Sequence, residues 1–217
     1  METVLPVLVA IGLVIAMRLD WLSRPRTRAW RALRRTKNTS IAEVKDGVPA
    51  RITGTVRVLD ETMKSPVGKT TCIGFRLEIE QTDQRRRPNV LRREDCRAFV
   101  IADDSGAATI EGPVLLGVDW EDDWSVLPQH AYGLLEAAGV ITEGLLFRKR
   151  YMFRQALLVP GDRVSACGVA FCEPDPTAPP VAMRAPALRP HLRGTKRDRV
   201  AVADVGPIGD VVKLITR

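Results

Sequence analysis

The thiols and imidazoles of this sequence, which attack a substrate or move a proton most readily near neutral pH, are Cys72, Cys96, Cys167, Cys172, His130 and His191. A thiol becomes a nucleophile as thiolate, which needs a base or a positive field beside it. Cys72 and Cys96 are the candidate nucleophiles and His130 and His191 the candidate bases, yet no spacing pairs either histidine with either thiol. Cys167 and Cys172 lie five residues apart in a strand-like run, so they point to opposite faces and share neither a bridge nor a metal. Reduced, mostly buried cysteines are the expectation. Asp103 and Asp104 run into Ser105-Gly106, the composition of a tight turn rather than of a catalytic carboxylate pair. Glu121, Asp122 and Asp123 precede His130, but three consecutive carboxylates converge poorly on one ion. No cofactor and no metal follow from these residues.

Arginines are the other chemistry-bearing group. Arg85, Arg86, Arg87, Arg92 and Arg93 fall within residues 81–95 and can clamp phosphate or RNA. Acids interrupt them and no aromatic platform accompanies them, as single-strand binding usually requires, so a solvated hairpin loop is expected and nucleic acid is disfavoured. The net charge of +7 has a local origin. Eight basic residues and one acid, Asp20, lie between Arg18 and Lys37, and the remainder is almost neutral.

That basic stretch follows an uncharged apolar run over residues 4–17. Fourteen residues are short for a bilayer, which takes about 20, but Met1, Thr3, Leu19, Trp21 and Leu22 extend the column. A signal peptide lacks its positive n-region here, an interfacial helix its polar face, and a core helix a large enough surrounding protein. A single transmembrane anchor over residues 1–22 is expected. Basic residues follow the run and none precedes it, which places the C-terminal part in the cytoplasm, at the cell membrane. Residues 23–39 then read as a juxtamembrane helix on anionic headgroups. Its membrane-surface set is Arg18, Trp21, Arg24, Arg26, Arg28, Trp30, Arg31, Arg34 and Arg35, with Trp30 and Leu33 turned to lipid.

The elements that position everything else are short strands. Residues 51–58 alternate, with Ile52, Gly54, Val56 and Val58 on one face. Residues 72–80 repeat the pattern, with Ile73, Phe75, Leu77 and Ile79 inward and Arg76, Glu78 and Glu80 outward. Further strands are expected over 96–102, 107–111, 150–158, 164–171 and 199–205, with one helix near 128–139 packing through Leu134, Leu135 and Ala138. Residues 174–193 form a proline-rich connector, and 194–217 a final strand and tail. The expected fold is mainly β: a small, twisted, partly closed antiparallel barrel, OB-like, with one short helix.

Four segments occur in order: Gly47-x4-Ile52-x-Gly54-x-Val56; Ser65-Pro66 followed by Cys72; Phe99-x3-Asp103-x-Ser105-Gly106; and Leu157-Leu158-Val159-Pro160-Gly161-Asp162-x-Val164 with Gly168. Over residues 40–173 the chain resembles the BAM or GIDE (beside-a-membrane) domain of membrane-anchored mitochondrial ubiquitin ligases and prokaryotic proteins. The resemblance implies structural roles for Gly54, Pro66, Cys72, Asp103, Gly106, Pro160, Gly161, Asp162 and Gly168. In those ligases the chemistry resides in a RING with clustered Cys/His ligands. Downstream of Cys172 this chain has no cysteine and only His191, so ligase activity is not implied. The expectation is a non-catalytic membrane-anchored scaffold that meets the bilayer and a protein partner. An OB-type nucleic-acid or lipid-headgroup binder and a cysteine-dependent enzyme are the alternatives.

Overall fold

The computed structural model describes residues 25–82, 89–144, 149–175 and 188–205. The anchor expected over residues 1–22 lies outside them, and no described helix is long and apolar enough to cross a membrane.

Alternation over Pro49–Val58 builds strand β1, which buries Ala50, Ile52, Gly54 and Val56. Val58, expected inward, is 41% exposed, because the barrel ends there. Strand β1 pairs with β11 (Arg163–Pro174) through Pro49–Thr55, and with β6 (Phe99–Asp103) from Thr55 onward. Gly54 sits at this change of partner: a Cβ there would lie 2.3 Å from the Ala102 carbonyl oxygen. β6 turns into β7 (Gly106–Glu111), which pairs with β12 (Leu188–Arg193), and β12 pairs back to β11. These five strands close a barrel in the order β1-β6-β7-β12-β11. Its interior is Ile52, Val56, Phe99, Ile101, Ala108, Ile110, Val164, Ala166, Ala170 and Leu192, all buried. The barrel sheet continues past β11 into β13 (Val200–Asp204) and β8 (Val114–Leu116).

Two of these contacts differ from the expected antiparallel pattern. β12 runs parallel to β7, and β13 parallel to β8. The proline-rich stretch also yields a strand. Pro190 is tolerated because β12 meets β7 only from His191 onward, so Pro190 has a single neighbouring strand.

The connections β1–β6 and β7–β11 carry a second unit. A small hairpin joins β2 (Met63–Lys64) to β3 (Thr71–Cys72). A four-stranded sheet has the order β5-β4-β10-β9, from Asn89–Cys96, Gly74–Gln81, Tyr151–Leu158 and Ser125–Val126. The expected runs 72–80 and 96–102 are therefore each broken, at Ile73 and after Cys96, where the chain passes between sheets. Phe75, Leu77, Ile79, Leu127, Leu135, Tyr151 and Leu157 form its core. The expected helix near 128–139 is one 3₁₀ turn, Gln129–Ala131, running into a short α-helix, Tyr132–Ala137. Leu135 is buried in this core, Leu134 is half-buried, and Ala138 is exposed past the helix end, contrary to expectation.

A longer helix, α1, spans Pro25–Arg35. Proline suits the first helical position, and Arg, Ala and Leu are good helix formers. Arg34 and Arg35 in the last turn complement the helix dipole. Helix α1 lies on the outer face of β8, β13 and β11, so residues 25–35 belong to the folded domain rather than to a separate juxtamembrane segment.

Candidate functional site

Helix α1 carries the sharpest division of chemistry in the structure. Ala29, Trp30 and Leu33 are buried, with Trp30 and Leu33 on Cys167 and Ala203, and Ala29 on Leu115 and Ala201. This corrects the expectation that Trp30 and Leu33 face lipid. The strands beneath present small residues on their outer face, and the tryptophan and leucine cover them. The Arg51 Nη1 donates to the Leu33 carbonyl at 3.2 Å, tying the C-terminal end of α1 to β1. At its other end Arg26 Nη2 pairs with Asp119 Oδ1 at 2.6 Å, so Arg26 is engaged by the domain.

At 100° per residue, Arg28, Arg31 and Arg35 fall opposite the buried residues. Arg28, Arg34 and Arg35 are exposed, and Arg31 is half-buried. Arg28 and Arg35 are thus exposed on the side away from the barrel, Arg34 is exposed at its flank beside Trp30, and Arg31 lies between them with its Nη2 enclosed. Arg18, Trp21 and Arg24 lie outside the described residues.

The second arginine set is not brought together. Arg92 and Arg93 belong to β5 rather than to a loop, and consecutive strand residues point to opposite faces. Arg92 Nε is 3.6 Å from Glu78 Oε1, whereas the Arg93 guanidinium lies 5.9 Å from the Phe75 ring. They cannot clamp one phosphate. Arg85, Arg86 and Arg87 lie outside the described residues.

A polar cluster that alternation did not reveal lies between the two sheets. Arg76 and Glu78, expected outward on β4, are 4% and 6% exposed. The Arg76 guanidinium donates to the Leu116 and Val118 carbonyls and sits 4.0 Å from the Trp120 ring. Arg154 lies 4.2 Å from Trp120 and 4.5 Å from Trp124, and donates to Glu78 Oε2 through Nη2 and Nε at 2.6 and 3.0 Å. Residues 116–124 fold over the polar side of β4, and burial follows.

The candidate nucleophiles are unactivated. Burial pushes the Cys96 thiol up to about 12, with the Asp95 and Glu94 charges adding to it. Burial likewise raises Cys72, and the Glu121 charge reinforces the shift. The candidate bases are committed elsewhere. His130 Nε2 lies 3.0 Å from the Val67 carbonyl oxygen, and His191 Nδ1 3.1 Å from Glu111 Oε1. All four cysteines are free thiols. Cys96 lines a cleft of about 340 Å³ with Glu94, Pro113 and Arg199, but Glu94 is held by the Leu116 N–H at 2.8 Å and by Arg199 at 3.4 Å. Among the described residues no group of three or more His, Cys, Asp and Glu could hold a metal ion.

The residues singled out by the family resemblance sit at closures of the fold. Asp103 Oδ1 accepts from the Ser105 N–H, Ser105 Oγ and Gly106 N–H, and Oδ2 accepts from the Ile41 N–H. Burial raises the Asp103 carboxyl, but these hydrogen bonds outweigh it and hold it below its ordinary value. Pro160 and Gly161 make the turn into β11, where Asp162 Oδ2 accepts from the Val159 N–H at 2.8 Å. The Gly161 N–H donates to the Val56 carbonyl. Pro66 lies in the β2–β3 connection, Cys72 is fully buried, and Gly168 leaves room for Val200 inside the barrel.

Compared with known proteins, the chain matches no family model and no curated relative.

Proposed function

We propose that this chain is a non-catalytic, membrane-anchored interaction domain of the BAM/GIDE type, presented on the cytoplasmic side of the cell membrane. The observation that carries this reading is the two-sided chemistry of α1. Its apolar side is buried on the barrel, while Arg28, Arg31 and Arg35 lie on the opposite side and Arg34 is exposed at its flank, 11 to 18 residues after the apolar run 4–17. An arginine stripe beside a bilayer gains about 1 kcal/mol per residue from anionic headgroups. Because α1 is packed on the barrel, the stripe also fixes how the domain stands on the membrane.

The barrel is OB-like in this reading. Its strand order, with β12 returning parallel beside β7, is a five-stranded Greek key. In such barrels the second and third strands form the oligonucleotide face, here β6 and β7. Those strands turn Val100, Ala102, Ala107 and Thr109 away from the barrel interior, with no ring or cation among these four for a base or phosphate. That favours an interaction domain over a nucleic-acid binder.

The test is expression of the full chain followed by alkaline extraction of membranes and proximity labelling from its C-terminus. Retention in the pellet with reproducible protein neighbours on the cytoplasmic side is expected. Release into the supernatant, or labelling indistinguishable from that of a bare anchor, would contradict the proposal.

A further inference from the structure

One extended segment, residues 114–120, touches α1 with one set of groups and the second sheet with another. Leu115 packs with Ala29 of α1. At Gly117 the helix comes so close that a Cβ would lie 2.6 Å from the Ala29 Cβ. Asp119 holds Arg26. The intervening residues face the other way. The Leu116 N–H donates to Glu94 Oε1, and the Leu116 and Val118 carbonyls accept from Arg76. Trp120 stacks on Arg76 and Arg154. Arg76 and Glu94 are cross-strand partners on β4 and β5, so this strand edge is finished by side chains of the second sheet.

We propose that residues 114–120 couple the seating of α1 to the packing of the second sheet, so that contact of α1 with a membrane surface is registered at Arg76, Trp120 and Arg154. The strand is held by the same short run of backbone on both sides. If α1 shifts, Leu115, Gly117 and Asp119 lose their contacts with the helix and keep only those with β13, where the Gly117 N–H donates to the Val202 carbonyl and the Asp119 N–H to Asp204. Leu116 and Val118 then move with β13 relative to Arg76 and Glu94. Packed elements of this kind respond by changing between arrangements rather than deforming smoothly. The membrane as the agent rests on the function proposed above; the coupling itself does not.

The experiment is amide hydrogen exchange on the full chain in detergent micelles, comparing wild type with Leu33→Ala. Leu33 packs on Cys167 and Ala203 rather than on residues 114–120 themselves, and Ala203 borders Gly117, so its removal loosens α1 while leaving every side chain of the segment in place. Exchange at β4 and β10 around Arg76 and Arg154 is expected to quicken about 5- to 150-fold, the usual range of coupling between sites. The β6–β7 hairpin is expected to keep its wild-type rates. Acceleration confined to α1, β11 and β13 would overturn the inference, and so would equal acceleration in every strand, which reports lost overall stability. Arg26→Gln, which removes one ion pair at the surface, provides a milder second variant expected to show the same pattern at smaller amplitude. Membrane retention of each variant is measured alongside, so coupling can fail while the chain remains anchored.

Discussion

The barrel and the second sheet are both antiparallel for most of their pairings, yet they bury different chemistry. The barrel interior is aliphatic and aromatic throughout, from Ile52 and Val56 to Phe99, Ile101 and Leu192. The second sheet has an apolar side under its short helix, but its other side buries Arg76 and Glu78 beneath Trp120. A closed barrel has an inside that any alternating apolar strand can fill. The side of β4 that carries Arg76 is buried only because another stretch of chain folds across it. The first kind of burial drives folding; the second ties two parts of the molecule in a defined relation.

The largest effect is expected where the barrel interior is opened. Ile101→Ala removes a fully buried side chain and should cost about 2–5 kcal/mol. Chemical denaturation should show a lowered midpoint with every probe moving together. Arg76→Met should cost less, about 1–3 kcal/mol, because it leaves the Leu116 and Val118 carbonyls without their donor. Its signature should be local: faster amide exchange in β4, β5 and β10, with the barrel strands unchanged. If Arg76→Met lowered stability as far as Ile101→Ala and as uniformly, the distinction between the two regions would not hold.

A smaller effect concerns Asp204. Burial raises its carboxyl, with the nearby Asp119 and Asp162 charges adding, while the Asp119 N–H and Arg26 pull the other way. Folding thus favours the protonated form. That contribution is full below the ordinary carboxylate range and is lost as pH rises through the raised folded value. At neutral pH the charged carboxylate therefore costs stability. Asp204→Asn keeps an oxygen for the Asp119 N–H, so it should raise Tm at pH 7, with the gain disappearing in acid. Thermal melts across pH check both halves of this statement.

How much of this was legible in the sequence differs between the same two regions. Alternation around Ile52, Phe75 and Val164 and the turns at Asp103–Gly106 and Pro160–Asp162 announced a mainly β fold with tight corners. Arg76 and Glu78 were unreadable as buried, since alternation reports a polar face without saying what covers it. Trp30 was misplaced for a related reason. An amphipathic helix has one pattern whether its apolar side meets lipid or protein, and only the small residues Cys167, Ala201 and Ala203 beneath it decide. Strand β12 was hidden by Pro190, which discourages a strand assignment locally but is accommodated where only one neighbour pairs. In the candidate site the arginines were legible as a set; their common direction was not, because it depends on which side of α1 is buried.

The stripe has the smallest expected effect on stability and the most direct bearing on function. Arg28→Gln, Arg34→Gln and Arg35→Gln should each change folding stability by less than about 0.5 kcal/mol, as exposed sites do. The central claim is tested by placing a photo-crosslinking benzophenone side chain at Arg28, Arg31 or Arg35 of the full chain in bilayers containing anionic lipid, with Val126 on the second sheet as the comparison. Lipid adducts at the three helix positions and none at Val126 are the predicted result. Adducts at Val126 but not on α1, or at none of the four positions, would contradict the account.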